Sequence, residues 1–383
     1  MLHFSCSLAV AKIRNLSVVC WPEVRAVSFC IIQKLLYFCR LNEYRGNMSK
    51  LAIVILNWNG RRFLEQFLPI LLKTLPDYAE AVVCDNASTD DSVVFMQEHF
   101  PQVQLLHNEK NEGFARGYNL ALARVEAKYY CLLNSDIEVT DGWIEPVIEQ
   151  MDANEKIVAV QPKLLSYYRR DEFEYAGASG GFIDKYGYPF CRGRVFGNVE
   201  KDHGQYDTVQ DVFWATGAAM FVRSDVYRTM GGLDDDFFAH MEEIDFCWRI
   251  KNLGYKIKVN PASVVYHIGG GTLPKNNPMK TFLNFRNSLY LLIKNLPDDR
   301  LKPTLILRFF LDQVAAFSFL AQGHVKDFAA VYKAIFTFAR TYKKYLAKRN
   351  TLPKLAFQDC YPESVVKLRF LKRKKIFNGK TFE

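Results

Sequence analysis

The chain has 383 residues, 49% hydrophobic and 24% charged, ordinary values for a globular protein long enough to bury a full core. No stretch reaches the roughly 18–20 uninterrupted apolar residues that span a bilayer; the nearest, 305–323, is broken by Arg308, Asp312, Gln313 and Gln322. The net charge of +9 is uneven: residues 300–383 carry +13, 1–50 carry +5 and 51–299 carry −9, which excludes a nucleic-acid surface in the middle and gives the tail the charge an anionic membrane attracts.

Four of the nine cysteines (Cys6, Cys20, Cys30, Cys39) fall in the first 47 residues. The others are scattered, with no Cys-x-x-Cys pair and no zinc-spaced Cys/His cluster, so free thiols in a reducing compartment are expected. Residues 1–47 mix Cys, Arg and short apolar runs, and Lys12 and Arg14 interrupt the apolar core that a signal peptide needs. Met48-Ser49-Lys50 opens directly onto a strand pattern. The segment 1–47 is therefore expected to be a non-native or disordered extension, with Met48 the start.

From residue 51 the pattern alternates. The apolar run 51–56 reads as a buried parallel strand. After Asn57-Trp58-Asn59-Gly60, the residues Phe63, Leu64, Phe67, Leu68, Leu71, Leu72 and Leu75 follow a helical period, which Pro69 is expected to kink. Strands over 81–84, 103–107 and 129–133 end at Asp85, His107 and Asn134-Ser135-Asp136, with a glycine-containing turn and a helix through 119–125 between the last two. Strand and helix at this spacing make βαβ units and a mostly parallel sheet flanked by helices, an α/β fold that binds ligands beyond the carboxyl ends of its strands. Residues 166–211 read as a loop-heavy excursion, structure resumes over 212–222, and 256–267 follows the acidic block 234–245. Beyond about residue 300 the composition turns to basic, aromatic helices.

The polar strand ends are the candidate chemistry. Asp85, with Asn86, Ser88, Thr89 and Asp90 behind it, suits the imide N–H of a uracil or thymine base, with a helix cap as the plain alternative. A strand that delivers Asp136 to its tip after Asn134-Ser135 suits a hard divalent cation, Mg²⁺ or Mn²⁺, against a diphosphate. The segment 111–119, with Gly113, Arg116 and Asn119, is a glycine-containing helix entry that suits a phosphate, although it matches neither a P-loop nor G-x-G-x-x-G. In the acidic block, Glu242 and Asp245 share a helix face, as do Asp245 and Arg249, leaving Glu243 to point elsewhere. Phe237, Phe238, Phe246 and Trp248 among these carboxylates favour the raised pKa of a general base. His267 ends a strand before a glycine run and is a candidate metal or pyrophosphate contact, with a satisfied core histidine as the alternative.

Together, Ile55-Leu56-Asn57-Trp58-Asn59-Gly60, Asp85-Asn86-Ala87-Ser88-Thr89-Asp90, the segment 111–119, Leu133-Asn134-Ser135-Asp136 and Glu242-Glu243-Ile244-Asp245 with Cys247-Trp248-Arg249 resemble glycosyltransferase family 2 over roughly residues 51–295. The subgroup it is most similar to includes rhamnosyltransferases of bacterial polysaccharide synthesis. The resemblance implies a GT-A fold and an inverting transfer from a dTDP- or UDP-sugar to a glycan or lipid-linked acceptor. Asn57, Asn59, Asp85, Asn86, Gly113, Arg116, Asn119, Asn134 and Ser135 would line the donor, and Asp136 and His267 the metal. Glu243 would be the base, although the family more often has Asp there, and Asp245 is a competitor with Glu242 beside it. Asn134 stands where the metal motif usually begins with an acid, leaving one direct carboxylate. The rivals are a sugar-nucleotide nucleotidyltransferase, which would want a glycine-rich phosphate loop after the first strand, and a non-catalytic nucleotide-sugar-binding protein.

The organisation expected is the extension 1–47, a catalytic domain 48–299 and a basic helical extension 300–383. On the last, Leu305, Phe309, Phe310, Val314, Phe317 and Leu320 lie near helical spacing, and Arg369 with Lys372–Lys375 forms a polybasic cluster. A peripheral contact with the inner face of the cell membrane is expected from these, with a hairpin packed on the catalytic domain as the alternative.

Overall fold

Alternate residues of the first strand enter opposite cores. Leu51, Ile53 and Ile55 of β1 (Ser49–Asn57) pack in one apolar cluster, Ala52 and Val54 in another, so the strand is buried on both faces and reads as continuously apolar. The computed structural model describes residues 49–269, 277–352 and 359–383; the extension 1–47 and the glycine run beyond Gly269 lie outside them. Chain contacts separate Met1–Ser49 from the compact unit Lys50–Glu383.

Helix α1 (Arg61–Lys73) lays Phe63, Leu64, Phe67, Leu68 and Leu71 on the sheet, each such side chain contributing about 1.5–3 kcal/mol of burial. Contrary to the expectation at Pro69, the helix runs on unbroken. The carbonyl deprived of its partner is that of Glu65, an exposed residue, where water can serve it. There follow β2 (Ala79–Asp85), α2 (Ser92–His99), β3 (Gln104–His107), α3 (Gly113–Leu122), β4 (Ala127–Asn134), β5 (Ile137–Val139), α4 (Glu145–Ala153) and β6 (Ile157–Ser166).

The stretch read as loop, 166–211, instead carries β7 (Gly181–Ile183), β8 (Pro189–Cys191), β9 (Arg194–Val195) and β10 (Asn198–Val199), paired as a small antiparallel sheet, and β11 (Gln210–Asp211). Strands of two or three residues are too short for a period to show. Then come β12 (Ala219–Arg223), α5 (Ser224–Thr229), α6 (Glu242–Lys251) and β13 (Lys256–His267).

Among the described residues the main sheet has nine strands, in the order β11-β13-β6-β12-β4-β1-β2-β3 with β5 on β13. The long ladders β1–β2 and β6–β13 are parallel, while β12 enters antiparallel between β4 and β6. Strand order reverses beside β1, which places the ends of β1 and β4 at a topological switch point.

Three long helices complete the unit: α7 (Pro278–Asn295), α8 (Asp298–Ala321) and α9 (Val325–Asn350). α9 lies along α7, where the rings of Tyr290 and Tyr345 stack 3.6 Å apart. The segment after residue 359 packs Val365, Leu368, Phe377 and Phe382 on Phe190 and Val195 of the small sheet. By length and composition α8 is apolar enough to cross a membrane. Its two interior charges, Arg308 and Asp312, are nonetheless buried 3.6 Å apart, and Arg308 donates to Ser288 Oγ at 2.7 Å and Tyr186 O at 3.3 Å. The polar pair faces the protein, and Ile306, Phe309, Phe310, Val314 and Phe317 face outward.

Candidate active site

β1 and β2 end in register at Asn57 and Asp85, and their loops are stitched together. Asn57 Nδ2 donates to Asp85 Oδ1 (3.4 Å) and Ser88 Oγ (3.3 Å), and Ser88 N–H donates to Asp85 Oδ2 (3.0 Å). Asn59 Oδ1 accepts from Thr89 N–H at 2.7 Å, while Asn59 N–H donates to Ser88 Oγ at 2.9 Å. Gly60 draws the β4 end into the same group, since a Cβ there would stand 2.3 Å from Asn57 Oδ1 and 3.2 Å from Ser135 Oγ. Asn57 Oδ1 is buried and accepts no hydrogen bond, which leaves it available to a ligand N–H or O–H.

One residue beyond Ser135, Asp136 meets His267 from the end of β13. His267 Nε2 stands 3.2 Å from Asp136 Oδ1 and 3.5 Å from Asn134 Nδ2. On its other side, Nδ1 lies 3.4 Å from Glu174 Oε1, a buried carboxylate that no sequence pattern singles out. Burial opposes charge on His267, but the two acids raise its pKa well above the ordinary imidazole value. Burial likewise works to raise Asp136, and the neighbouring imidazolium outweighs it, holding the carboxyl below the usual range. Among the described residues no three His, Cys, Asp or Glu side chains form a metal cage. A hard cation that keeps waters and binds diphosphate oxygens needs only one or two protein ligands; Asp136 fits as the oxygen ligand, and His267 would join it only once the cation displaces the proton from Nε2.

The second acidic group opens α6. Glu242 and Glu243 are its first residues, and each keeps one buried carboxylate oxygen without a hydrogen bond. Burial pushes Glu243 up to about 7 against the pull of the backbone N–H groups of the helix's first turn. Glu242 is raised well above the carboxylate range by burial and then by the charge of Glu243. The loop before β12 joins this group to the first. Ala218 O accepts from Asn134 N–H at 2.9 Å, Thr216 Oγ1 donates to Ala176 O at 2.6 Å, and a Cβ on Gly217 would stand 3.6 Å from that of Glu243.

Other expected residues belong to the framework. Asp245 is fully buried, and its oxygens accept from Arg249 Nε (2.9 Å), Lys294 Nζ (2.7 Å) and Asn295 Nδ2 (2.8 Å), so it is an anchor and not a competing base. Asn86 bonds Asn111, Gly113, Asn108 and Glu112. Asn119 Nδ2 donates to Leu233 O (2.7 Å) and Asp235 Oδ1 (2.6 Å), and its Oδ1 accepts from Tyr227 OH (2.7 Å). Arg116 is paired with Glu112 (2.9 Å) and Asp235 (3.2 Å). The helix entry at Gly113 does not present a free anion cradle, because the N–H groups of Phe114 and Ala115 both point to Phe238 O. Two cavities of about 340 and 350 Å³ open behind this region, lined by Asn119, Gly231, Gly232 and Asp235, and neither includes Asp136 or Glu243. Convergent chemistry, not the hollow, identifies the site.

Residues 52–210 match the family model for glycosyl transferase family 2. A Mycobacterium tuberculosis N-acetylglucosaminyl-diphospho-decaprenol L-rhamnosyltransferase is 22% identical over 233 residues, 57% of this chain and 76% of that protein. A Drosophila melanogaster N-acetylgalactosaminyltransferase 4 is 23% identical over 258 residues, 63% of this chain and 39% of that protein. Among solved structures, GalNAc-T7 with UDP, GalNAc and Mn²⁺ superposes with a TM-score of 0.53 at 16% identity, over 66% of this chain and 49% of that one. S. aureus TarS 1-349 in complex with UDP-GlcNAc gives 0.51 at 14% identity, over 78% and 83%. The mostly parallel sheet with its C-terminal helices is thus a GT-A-like fold, and the likeness to glycosyl transferase family 2 spans residues 52–210.

Proposed function

We propose that the chain transfers a sugar from a dTDP- or UDP-sugar to a glycan or lipid-linked acceptor by a single displacement with inversion, assisted by Mg²⁺ or Mn²⁺. The observation that carries this is Glu243, a carboxylate raised to about 7 with an unpartnered buried oxygen, tied through residues 216–218 to Asp136 and His267. As the carboxylate, Glu243 takes the proton of the acceptor hydroxyl. The freed oxygen attacks the anomeric carbon from the face opposite the departing nucleoside diphosphate. Glu242, kept neutral beside it, lets Glu243 ionise without a second charge in the same buried place. Asn57, Asn59, Asp85 and Ser135 are assigned to the nucleoside side of the donor. Asp136 and His267 would hold the metal, which supplies positive charge against the leaving diphosphate. Calorimetry of UDP and dTDP, with Mn²⁺ and then with EDTA, tests the donor site. Binding that needs the metal in wild type and is lost in Asp136→Ala is expected; a folded wild type that binds neither nucleotide removes the reading.

Within this reading residues 48–299 are the catalytic domain and 300–383 the extension that brings it to the inner face of the membrane. The inside-out helix α8 favours a lipid-linked acceptor: Ile306, Phe310 and Val314 are 61–67% exposed, and no acidic side chain is exposed between Arg300 and Ala321. Phe370 and Leu371 are exposed beside Lys372 and Arg373 as well. Flotation on phosphatidylglycerol vesicles is expected for wild type and lost when Phe309, Phe310 and Phe317 become Ser, with nucleotide affinity unchanged. A wild type that stays in solution overturns this part alone.

A further inference from the structure

Between the short helical turn Asp235–Phe237 and the start of α6, the chain holds three non-glycine residues at positive φ: Phe238 (65°), His240 (69°) and Met241 (73°). Phe238, with ψ −61°, is the centre of a γ-turn of the rare hand, closed by Ala239 N–H on Phe237 O at 2.7 Å. L-residues avoid this region on their own, so the conformation must be imposed from outside.

The imposing groups sit on α7. Asn287 has no exposed surface, and its amide nitrogen lies 2.9 Å from Phe237 O, 2.8 Å from Ala239 O and 2.7 Å from His240 O. Two N–H groups are thus shared among three carbonyls of one turn. Arg286 Nη2 adds contacts to Phe237 O (3.0 Å) and Asp236 O (3.2 Å). Its Nε donates to Asn287 Oδ1 at 2.9 Å, which fixes the amide with its NH₂ toward the turn. From the opposite side Phe238 O caps the first N–H groups of α3, and Gly113 lets it approach, since a Cβ there would stand 2.7 Å from that oxygen. Met241 is the residue before α6, and Glu242 and Glu243 follow directly. A shift of the turn therefore moves Glu243.

We propose that Arg286 and Asn287 are positioning residues for the acceptor base, holding the turn 237–241 in the conformation that aims Glu243. This rests on the assignment of Glu243 made above. An amide is the chemistry the place selects: Asp at 287 would set a charge against three carbonyls, and Ala would leave them without this donor.

The test uses Asn287→Ala and Asn287→Asp, with Leu292→Ala as a control that removes buried apolar packing from the same helix where it meets Gly187, away from the turn. UDP affinity, turnover of a UDP- or dTDP-sugar with water as acceptor, and hydrogen exchange of the peptide 236–244 are measured on each. Both variants at 287 are expected to bind UDP within about twofold of wild type, to turn over at least tenfold more slowly, and to exchange faster at 236–244. Leu292→Ala should keep its turnover and show no exchange rise confined to that peptide. Wild-type turnover in a folded Asn287→Ala protein overturns the proposal, as does unchanged exchange at 236–244. Glu243→Gln run alongside separates the two claims: if it remains active the base assignment falls, while the exchange data still decide whether the clamp holds the turn.

Discussion

Between Asn57 and Asp136 the candidate site is made of neighbouring strand ends joined by hydrogen bonds, several at exposed or partly exposed positions such as Asn59, Ser88 and Thr89. Between 234 and 295 it is made of buried charge. Lys294 Nζ lies 2.6 Å from Asp234 Oδ2 and 2.7 Å from Asp245 Oδ2, with side chains under 10% exposed. Lys348 reaches Asp234 and Asp236 from α9 at 2.6 and 2.7 Å. On the proposed reading the loop bonds of Asn59, Ser88 and Thr89 can be exchanged as a nucleotide enters, while Asp136 stays in its buried pair with His267. The second region cannot give up a partner without stranding a charge away from water, so it suits a base that must keep one direction. If the proposed function holds, the adaptable loops are the floor that binds a donor and the buried charges the wall that aims the base.

The largest expected break of this contrast is Glu243→Gln, which removes the base and leaves the floor untouched. Turnover should fall by about 10²–10⁴ with nucleotide affinity retained; equal losses in both would put Glu243 in the donor site instead. The same group sets the pH dependence. A base works ionised, and with its pKa near 7 the rate should rise about tenfold per pH unit below 7 and level off above it. A limb that stays near the ordinary glutamate range, where burial has no hold, would count against the assignment.

Next in size is Asp245→Ala, which takes the paired carboxylate from buried Arg249 and leaves Lys294 with Asp234. It should cost about 3–5 kcal/mol in urea unfolding, as breaking one side of a buried pair does. A midpoint close to wild type would show that the wall is less committed than its burial implies. Smaller again is Glu174→Ala, which frees His267 Nδ1 of its carboxylate. Loss of such a partner typically weakens metal binding by about 10–100-fold, read here by Mn²⁺ electron spin resonance, and nucleotide binding without metal should not change. Smallest is Arg116→Ala. Its pairs with Glu112 and Asp235 are half exposed, so stability should move by less than about 1 kcal/mol and donor affinity not at all. A strong loss of affinity would return Arg116 to the phosphates.

The frame and the polar strand ends could be read from the chain alone. Runs such as 51–56 and 129–133 are apolar because both faces of their strands are covered, and the polar residue that ends each run lies where the strand leaves the core. The placement of Asn57, Asp85 and Asp136 at or just beyond strand ends was legible for that reason: period and position along the chain encode it. The pair Glu242-Glu243 was legible as a dense acidic block among aromatics. Which acid keeps an unpartnered oxygen depends on the folded neighbours. Asp245 looks like a competitor on paper, and three donors brought from α6 and α7 make it an anchor. Asn86, Arg116 and Asn119 likewise look like ligands until the acidic loop and its neighbours engage them. Glu174, Arg286 and Asn287 carry no local signal, because their roles depend on groups 93, 49 and 50 residues away in the chain, His267 and Phe237. Short-range order follows from sequence period. Which polar group is satisfied, and which is left to do chemistry, follows from what the fold brings alongside it.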